Sequence, residues 1–258
     1  MINLNLKKIT EDLIDPFLEA GRIAKKISEK GVKITIKADK SPVTDGDLAV
    51  DKILREKIKN LTHDIPIISE ETVDINIKNE SNTFWLIDPI DGTKDYIKKK
   101  EEYTINAALI VDFKPSLGII YAPAKNRLFY SFGENLAFEI NNGKTVKLNC
   151  EKKNKNEIIG LENSGKTPKE VWNIYRENQV SKTFKMSSSL KFCIIAAGEA
   201  DIYAAIGRAF EWDIAAGHAI LLHSGGSITS FDEKEFFYGK ENYKNLPIIA
   251  KRSQKLNK

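Results

Sequence analysis

Two aspartates lie three residues apart in the segment Asp88-Pro89-Ile90-Asp91-Gly92-Thr93, which directly follows the apolar run Phe84 to Ile87. Because Pro89 has no backbone N–H, it ends the strand that this run predicts and leaves Asp88 at the strand end. Two carboxylates about 5 Å apart repel each other by roughly 3 kcal/mol at an effective dielectric constant near 20. A divalent cation turns this repulsion into ligation, and ligands that are all oxygen favour Mg²⁺. The segment therefore predicts a magnesium site, with an ordinary Asp-Gly turn as the alternative.

Gly92 and Thr93 complete this segment. Glycine permits a tight turn after Asp91, and threonine suits the start of a short helix. The backbone N–H groups of Gly92 and Thr93 would then point outward and form a cradle for an anion. We therefore expect an anion site directly beside the cation site.

Two further acidic features end predicted strands or begin predicted helices. The apolar run Ile67-Ile68-Ser69 leads into Glu70 and Glu71, and Asp213 stands where a helix rich in small residues begins. An aspartate at a helix start is commonly an N-cap, which is the alternative for Asp213. Since α/β sheets bind ligands at the edge where strands end, we expect these acids to meet the 88–93 segment there.

The elements that must position these residues change in character along the chain. Apolar residues recur at helical spacing from Ile9 to Ile27, and a second helix is predicted from Asp45 to Leu61, with Thr44 and Asp47 as a capping pair. After a first short strand, a long run of strands predicts a mainly antiparallel sheet. The predicted strands are Val32 to Ile36, Pro66 to Ser69, Thr83 to Ile90, Thr104 to Val111, Leu117 to Tyr121, Arg127 to Phe132, Leu136 to Ile140 and Thr145 to Leu148.

Beyond Glu157 the predicted strands and helices alternate. The predicted helices are Pro168 to Glu177, one from Ser188 and Asp213 to Leu222, and the predicted strands follow Glu157, lie near Thr183, span Asp201 to Ile206 and follow Gly225-Gly226. This order predicts an α+β fold of stacked layers with two sheet regions. We expect one unit over residues 1–258, with most metal ligands in a half of about 1–150 and the substrate-recognition helix in a half of about 151–258.

The composition is that of an ordinary globular protein. Of the 258 residues 41% are hydrophobic and 29% are charged, and 40 basic against 36 acidic residues give a net charge of +4. The dispersed basic residues argue against a nucleic-acid-binding module, and the runs Lys98 to Lys100 and Lys251 to Lys258 are expected to be solvated surface. The sequence predicts no disulfide framework, signal peptide or integral membrane segment, so a cytoplasmic location is expected. Association with a membrane surface is compatible with the sequence, as are a monomer and a homodimer.

Several stretches together resemble the signature of the inositol monophosphatase superfamily, which comprises lithium-sensitive, Mg²⁺-dependent phosphomonoesterases. They are Glu70-Glu71, the 88–93 segment and Trp212-Asp213-Ile214-Ala215-Ala216-Gly217. Within this superfamily the chain most resembles the bacterial 3′(2′),5′-bisphosphate nucleotidase branch. The stretches that carry this finer resemblance are Ser41-Pro42-Val43-Thr44, Asp91 to Ile97, Ser188 to Cys193, and Trp212-Asp213 with Ala215 to Ala219. The resemblance implies an αβαβα sandwich, and the branch implies a place in sulfur metabolism.

The resemblance also implies roles for individual residues. The implied metal ligands are Glu70, Asp88 and the Ile90 carbonyl for one Mg²⁺, and Asp88, Asp91 and Asp213 for a second. Asp47 and Thr93 would form a hydrogen-bonded pair that activates the attacking water, and Glu71 would assist. The amides of Gly92 and Thr93 would hold the scissile phosphate. Two to three ions per site are expected, because paired cations lower the pKa of water and neutralise the leaving oxygen.

A bisphosphate substrate needs a site for its second phosphate. Ser187-Ser188-Ser189 opens an apolar helix, and Lys191 falls in its first turn, where the helix dipole disfavours a cation by about 0.3–1 kcal/mol. An anion bound among the serines would reverse that penalty, whereas a lysine that bends into solvent is the alternative. With the family context, the predicted substrate-binding residues are Asp91, Gly92, Thr93, Lys94, Ser188, Ser189, Lys191 and Asp213.

Two places depart from the pattern of the nucleotidase branch. Ser187 stands where that branch often has glycine. An arginine or glutamate is frequent before the glycine that corresponds to Gly207, where this chain has Ala204 and Ala205. Arg208 or Glu211 could take the place of that residue. These departures affect the prediction of substrate and leave the predicted metal chemistry unchanged.

The predicted function is hydrolysis of the 3′-phosphate of adenosine 3′,5′-bisphosphate to AMP and phosphate. The same site could accept the 3′-phosphate of the sulfated adenylyl nucleotide. A phosphatase of inositol or related sugar phosphates is the alternative. A catalytically silent nucleotide-binding regulator is disfavoured, because the side-chain metal ligands are all acids and the Asp47–Thr93 pair is intact. The expected partner is therefore a small phosphorylated nucleotide and not a nucleic acid.

Overall fold

The computed structural model describes residues 4–37, 40–75, 77, 79–150, 157–207, 209–254 and 256. The helices are α1 Leu6–Lys30, α2 Asp45–Leu61, α3 Thr93–Ile97, α4 Lys169–Glu177, α5 Leu190–Ala196 and α6 Glu211–His223. The strands are β1 Ile34–Ile36, β2 Pro42–Thr44, β3 Ile67–Ser69, β4 Phe84–Asp91, β5 Thr104–Val111, β6 Lys114–Ala122, β7 Arg127–Ser131, β8 Ala137–Asn141, β9 Lys144–Lys147, β10 Ile159–Glu162, β11 Lys182–Lys185, β12 Ile202–Ala205, β13 Ser227–Ser230 and β14 Ile248–Lys251. No helix within these ranges is both long and apolar enough to cross a bilayer.

The larger sheet contains seven strands in the order in which they occur along the chain, from β3 to β9. Only β3 and β4 run parallel, and each later neighbour pairs antiparallel. The predicted mainly antiparallel sheet is therefore confirmed. The parallel pair sets Ser69 opposite Ile87, so the residues that follow both strands emerge at the same sheet edge.

The smaller sheet has five strands in the order β11-β10-β12-β14-β13. It is mixed, because β10 pairs parallel with β11 and β12 whereas β14 pairs antiparallel with β12 and β13. The sequence predicts only one strand after Gly225-Gly226, and the structure has two. The second, β14, was missed because its four residues are too short to give a periodic signal and pair with β12 far away in sequence. The short strand β2, which pairs with the neighbouring β1, was missed because its three residues are also too short to give a periodic signal.

Hydrophobic packing arranges these elements in five layers. Helices α1 and α2 cover one face of the larger sheet through residues such as Phe17 and Leu54. Helices α5 and α6 lie between the two sheets, and α4 covers the outer face of the smaller sheet through residues such as Tyr175. The order of layers is helix, sheet, helix, sheet, helix. This confirms the predicted αβαβα sandwich with two sheet regions.

Gly118 allows helix α6 to lie very close to the larger sheet. A Cβ atom on this β6 residue would lie 2.4 Å from the carbonyl oxygen of Ala216, which belongs to α6. Real side chains do not tolerate such a distance to backbone, so only glycine permits this approach. Because α6 also carries Asp213, the position of that acid over the sheet edge depends on this contact.

We predict that Gly118→Ala lowers the free energy of unfolding by about 1–3 kcal/mol, because the added methyl group must push α6 away from the sheet. Gly165→Ala is the matched control, since a Cβ atom at that position has no neighbour within 4 Å. The control should leave stability unchanged or raise it slightly. Urea unfolding followed by circular dichroism measures both variants. Equal stability of the two variants would contradict the packing argument.

Candidate active site

Three acids from separate elements meet at the sheet edge. Glu70 follows β3, Asp88 lies in β4, and Asp213 lies in the first turn of α6. Each offers a carboxylate oxygen, and these three atoms all lie within 4.8 Å of one another. The cluster forms because β3 and β4 are parallel and α6 begins above their ends.

Asp88 is the most constrained member of this cluster. Its side chain is 1% exposed, and neither carboxylate oxygen has a hydrogen-bond partner within the part of the chain that the structure describes. Burial, and then repulsion from Glu70, Asp91 and Asp213, raises the pKa of Asp88 well above its ordinary value. An unpaired buried carboxylate is costly unless a cation neutralises it. The donors are all oxygen, so the residues present fit a hard divalent cation such as Mg²⁺.

Burial and neighbouring carboxylates also raise the pKa values of Asp91 and Asp213. Burial raises the pKa of Asp91 to about 6, although the neighbouring Lys191 and the Ser189 amide act in the opposite direction. Burial and repulsion from Asp91 and Glu70 raise the pKa of Asp213 well above its usual range. Asp213 Oδ2 also accepts a hydrogen bond of 2.7 Å from the amide of Phe210. The alternative that Asp213 is the N-cap is wrong, because α6 begins at Glu211 and its N-cap is Phe210. Asp213 is the third residue of the helix, and it bonds back to the N-cap amide while it joins the acidic cluster.

The turn after Asp91 has the backbone that its residues predict. Gly92 adopts the left-handed conformation, with φ of 92°, and α3 begins at Thr93. The Thr93 hydroxyl lies 3.3 Å from Asp47 Oδ1 and 3.1 Å from the carbonyl oxygen of Ile90. None of the hydrogen bonds found among the described residues uses the amides of Gly92 and Thr93. Two backbone donors therefore remain available beside the acids.

Asp47 is held rigidly at the start of α2. Its Oδ2 accepts hydrogen bonds from the amide of Thr44 at 2.8 Å and from the Thr44 hydroxyl at 2.5 Å. This is the predicted capping pair. Burial raises the pKa of Asp47, and the bonds from Thr44 oppose that rise. The remaining oxygen faces Thr93, so Asp47 connects the helix cap to the proposed catalytic hydroxyl.

Lys37 is a member of the site that the sequence did not indicate. Its ammonium lies 2.8 Å from Glu71 and 3.4 Å from Glu70. Burial raises the pKa of Glu71 to about 7 even though Lys37 opposes the rise. Lys37 was missed because it follows a short strand, carries no motif and belongs to a chain with 40 basic residues.

A cavity of about 680 Å³ opens beside the acidic cluster. The residues that line it include Asp91, Asp213, Lys94 and Ser188, together with Tyr203, Ala204 and Ala205 of β12. The volume falls within the range of small-molecule sites. Because the walls come from both sheets and from α5 and α6, the cavity lies where the two halves of the chain meet.

Lys191 faces inward and not into solvent. It is 5% exposed, and its ammonium donates to the carbonyl oxygen of Ser188 at 2.6 Å and lies 5.0 Å from the ring centre of Tyr203. Burial lowers the pKa of Lys191 to about 8, although Asp91 acts to raise it. The alternative of a solvated lysine is therefore wrong, because the carbonyl and the aromatic ring hold the charge in the cavity wall.

Glu211 does not reach the cavity wall that lacks the family's charged residue. It is fully buried, and its carboxylate pairs with the Lys240 ammonium at 2.8 Å and accepts the amide of Gly239. Its role is to anchor the 239–240 loop to the start of α6. The other residue considered for that place, Arg208, lies outside the described residues.

Comparison with known proteins places this acidic cluster and cavity in a protein family. The sequence model of the inositol monophosphatase family matches residues 5–256. A 3′(2′),5′-bisphosphate nucleotidase CysQ from Buchnera aphidicola is 37% identical over 234 residues, which cover 89% of this chain and 87% of that protein. The CysQ nucleotidase of Escherichia coli K12 is 34% identical over 210 residues, with 81% of this chain and 84% of that protein covered.

The fold comparison agrees with the sequence comparison. The crystal structure of CysQ from Bacteroides thetaiotaomicron, described as a bacterial member of the inositol monophosphatase family, superposes with a TM-score of 0.80. The two chains are 27% identical, and the match covers 96% of this chain and 98% of that one. With the family signature, the layered fold and the acidic cluster in agreement, the chain belongs to the inositol monophosphatase family.

Proposed function

We propose that the protein hydrolyses the 3′-phosphate of adenosine 3′,5′-bisphosphate to AMP and phosphate with the help of Mg²⁺. The observation that carries this proposal is the buried Asp88 carboxylate without a partner, which lies in an acidic cluster beside a cavity of about 680 Å³. The nucleotidase activity in the names of the relatives supports the choice of substrate. The sulfated adenylyl nucleotide is a second substrate of the same kind.

The residues present suggest two ligand sets for two to three ions. The first set is Glu70, Asp88 and the Ile90 carbonyl, and the second is Asp88, Asp91 and Asp213. When bound, Mg²⁺ supplies positive charge that offsets the phosphate and lowers the pKa of water. Asp88 belongs to both sets, which agrees with its having two unpartnered oxygens.

The chain's own residues orient the water and the phosphate. The Thr93 hydroxyl donates to Asp47 at 3.3 Å and its oxygen holds the attacking water. The proton of that water passes through the Thr93 hydroxyl to the Asp47 carboxylate. The amides of Gly92 and Thr93 donate to the phosphate oxygens. The water oxygen forms a bond to phosphorus as the bond from phosphorus to the 3′ oxygen breaks. A solvent water donates a proton to that oxygen, and the proton on Asp47 returns to solvent. Glu71, with a pKa near 7, is suited to assist this proton transfer.

The second phosphate is assigned to the cavity wall near α5. Lys191 and Ser188 lie there, and Lys94 lines the same cavity. Two of the three ammonium protons of Lys191 have carbonyl acceptors, Ser188 and Met186, which leaves one proton for an anion. This cation beside the acidic cluster would balance the charge of a second phosphate that the metal ligands do not reach.

We predict that adenosine 3′,5′-bisphosphate is hydrolysed with a kcat/KM about 10-fold or more above that of 3′-AMP and of inositol 1-phosphate. The reason is that charge-assisted hydrogen bonds to the second phosphate contribute about 1.5–3 kcal/mol. Phosphate release is measured with Mg²⁺ and, as a control, with EDTA. Equal or better turnover of inositol 1-phosphate would favour the sugar-phosphate alternative, and no release from any substrate would favour a silent regulator.

We also predict inhibition by millimolar lithium, because Li⁺ can replace one magnesium ion among oxygen ligands. The measurement is phosphate release in lithium chloride against the same concentration of sodium chloride, which controls for ionic strength. The inhibition should weaken as Mg²⁺ is raised, since the ions compete for the same carboxylates. Equal rates in the two salts would show that the chain lacks the lithium sensitivity that its resemblance implies.

A further inference from the structure

Ser189 lies immediately before α5, and its hydroxyl is directed at strand β5 and not at solvent. The residue is 2% exposed. Its hydroxyl donates to Asn106 Oδ1 at 2.8 Å and lies 2.8 Å from the hydroxyl of Thr104, which is the remaining donor of the pair. Both partners are buried. These contacts fix the start of α5 on the larger sheet.

The backbone of the same residue contacts a proposed metal ligand. The amide of Ser189 donates to Asp91 Oδ2 at 2.5 Å. In the sheet register, Thr104 stands opposite Asp91, and Asn106 stands opposite Asp88. Ser189 therefore bonds to Asp91 through its amide and to the cross-strand neighbours of both aspartates through its hydroxyl.

Asp91 needs such an anchor because the ladder is irregular at this point. The three steps from Asp88 to Asp91 face only two steps from Asn106 to Thr104, so β4 contains one extra residue. A bulge of this kind leaves a residue outside the regular pairing and disrupts the local hydrogen bonds. The sheet alone thus fixes Asp91 less firmly than Asp88, and the Ser189 amide supplies a bond from outside the sheet.

We propose that Ser189, held by Asn106 and Thr104, is a positioning residue that orients Asp91 for metal binding. Ser189 is also one of the predicted substrate-binding residues and it lines the cavity. Its amide and hydroxyl both have protein partners, which supports a positioning role. The neighbouring residue, Ser188, accepts the Lys191 ammonium at 2.6 Å. Ser189 with Asn106 and Thr104, which we call the Ser189 clamp, thus joins the proposed metal ligands to the wall of the substrate cavity. The inference rests on the proposed function only in taking Asp91 as a metal ligand.

The test is calorimetric titration of the substrate-free protein with Mg²⁺. Ser189→Ala keeps the amide but loses the hydroxyl that fixes it, so the Kd for Mg²⁺ should rise about tenfold or more, as is typical when a metal ligand loses its supporting bond. Ser189→Thr, which retains a hydroxyl, should recover part of the loss. Ser116→Ala is the matched control, because its hydroxyl bonds only a nearby exposed carbonyl.

Kinetics separate positioning from direct substrate contact. With saturating Mg²⁺, Ser189→Ala should keep a KM for adenosine 3′,5′-bisphosphate within about twofold of the parent protein. An unchanged Kd for Mg²⁺ with a raised KM would overturn the inference in favour of direct contact. If Ser189→Ala fails to fold by circular dichroism, Thr104→Val, which removes one hydroxyl at nearly constant shape, takes its place and should raise the Kd in the same direction.

The outcomes for this clamp and for the proposed function are distinguishable. If the parent protein releases no phosphate from the bisphosphate but Ser189→Ala still weakens Mg²⁺ binding, the proposed substrate is wrong and the clamp stands. If the parent protein releases phosphate and neither Ser189→Ala nor Thr104→Val changes the Kd for Mg²⁺, the clamp is wrong.

Discussion

The structure depends on a repulsion between buried acids that its own side chains relieve only in part. Lys37 pairs with Glu70, whereas the Asp88 carboxylate has no hydrogen-bond partner among the described residues. Asp88 is almost fully buried, and Glu70 and Asp213 each bring a carboxylate oxygen within 4.8 Å of its own. Close packing elsewhere enforces this arrangement, because the parallel β3–β4 pair fixes two of the acids and the approach of α6 at Gly118 fixes the third. The packing thus holds like charges together, and a cation bound between them would offset their repulsion.

The cavity joins this centre to the other half of the chain. The acids proposed as metal ligands come mainly from the larger sheet, whereas the Lys191 ammonium lies over the ring of Tyr203 in the smaller sheet. Helix α5 lies between the sheets, and the residue before it, Ser189, bonds to Asp91. Contacts of a few ångströms therefore connect the proposed metal ligands to the proposed substrate cavity.

The sequence indicated the acidic centre well because its signals are local. Gly92 and Thr93 determine a turn directly after Asp91, and the structure has it. The prediction that Pro89 ends the strand at Asp88 is wrong, because β4 continues through Pro89 to Asp91 with an irregular register. Lys37, Thr104 and Asn106 gave no such signal. The hydrogen bond from Ser189 to Asn106 spans 83 residues of sequence, so only the folded chain reveals it. The short strands β2 and β14 were missed for a related reason, since their pairing partners and not their own residues define them.

The most direct measurement is the stability of Asp88→Asn without and with Mg²⁺, against Asp64→Asn as an exposed control. In EDTA, Asp88→Asn should raise the free energy of unfolding by about 1–3 kcal/mol, because the amide removes a buried charge and can donate to the neighbouring carboxylates. Mg²⁺ should then stabilise the parent protein and the control, but not Asp88→Asn. A metal-free Asp88→Asn protein less stable than the parent, together with equal stabilisation of all three proteins by Mg²⁺, would contradict the account.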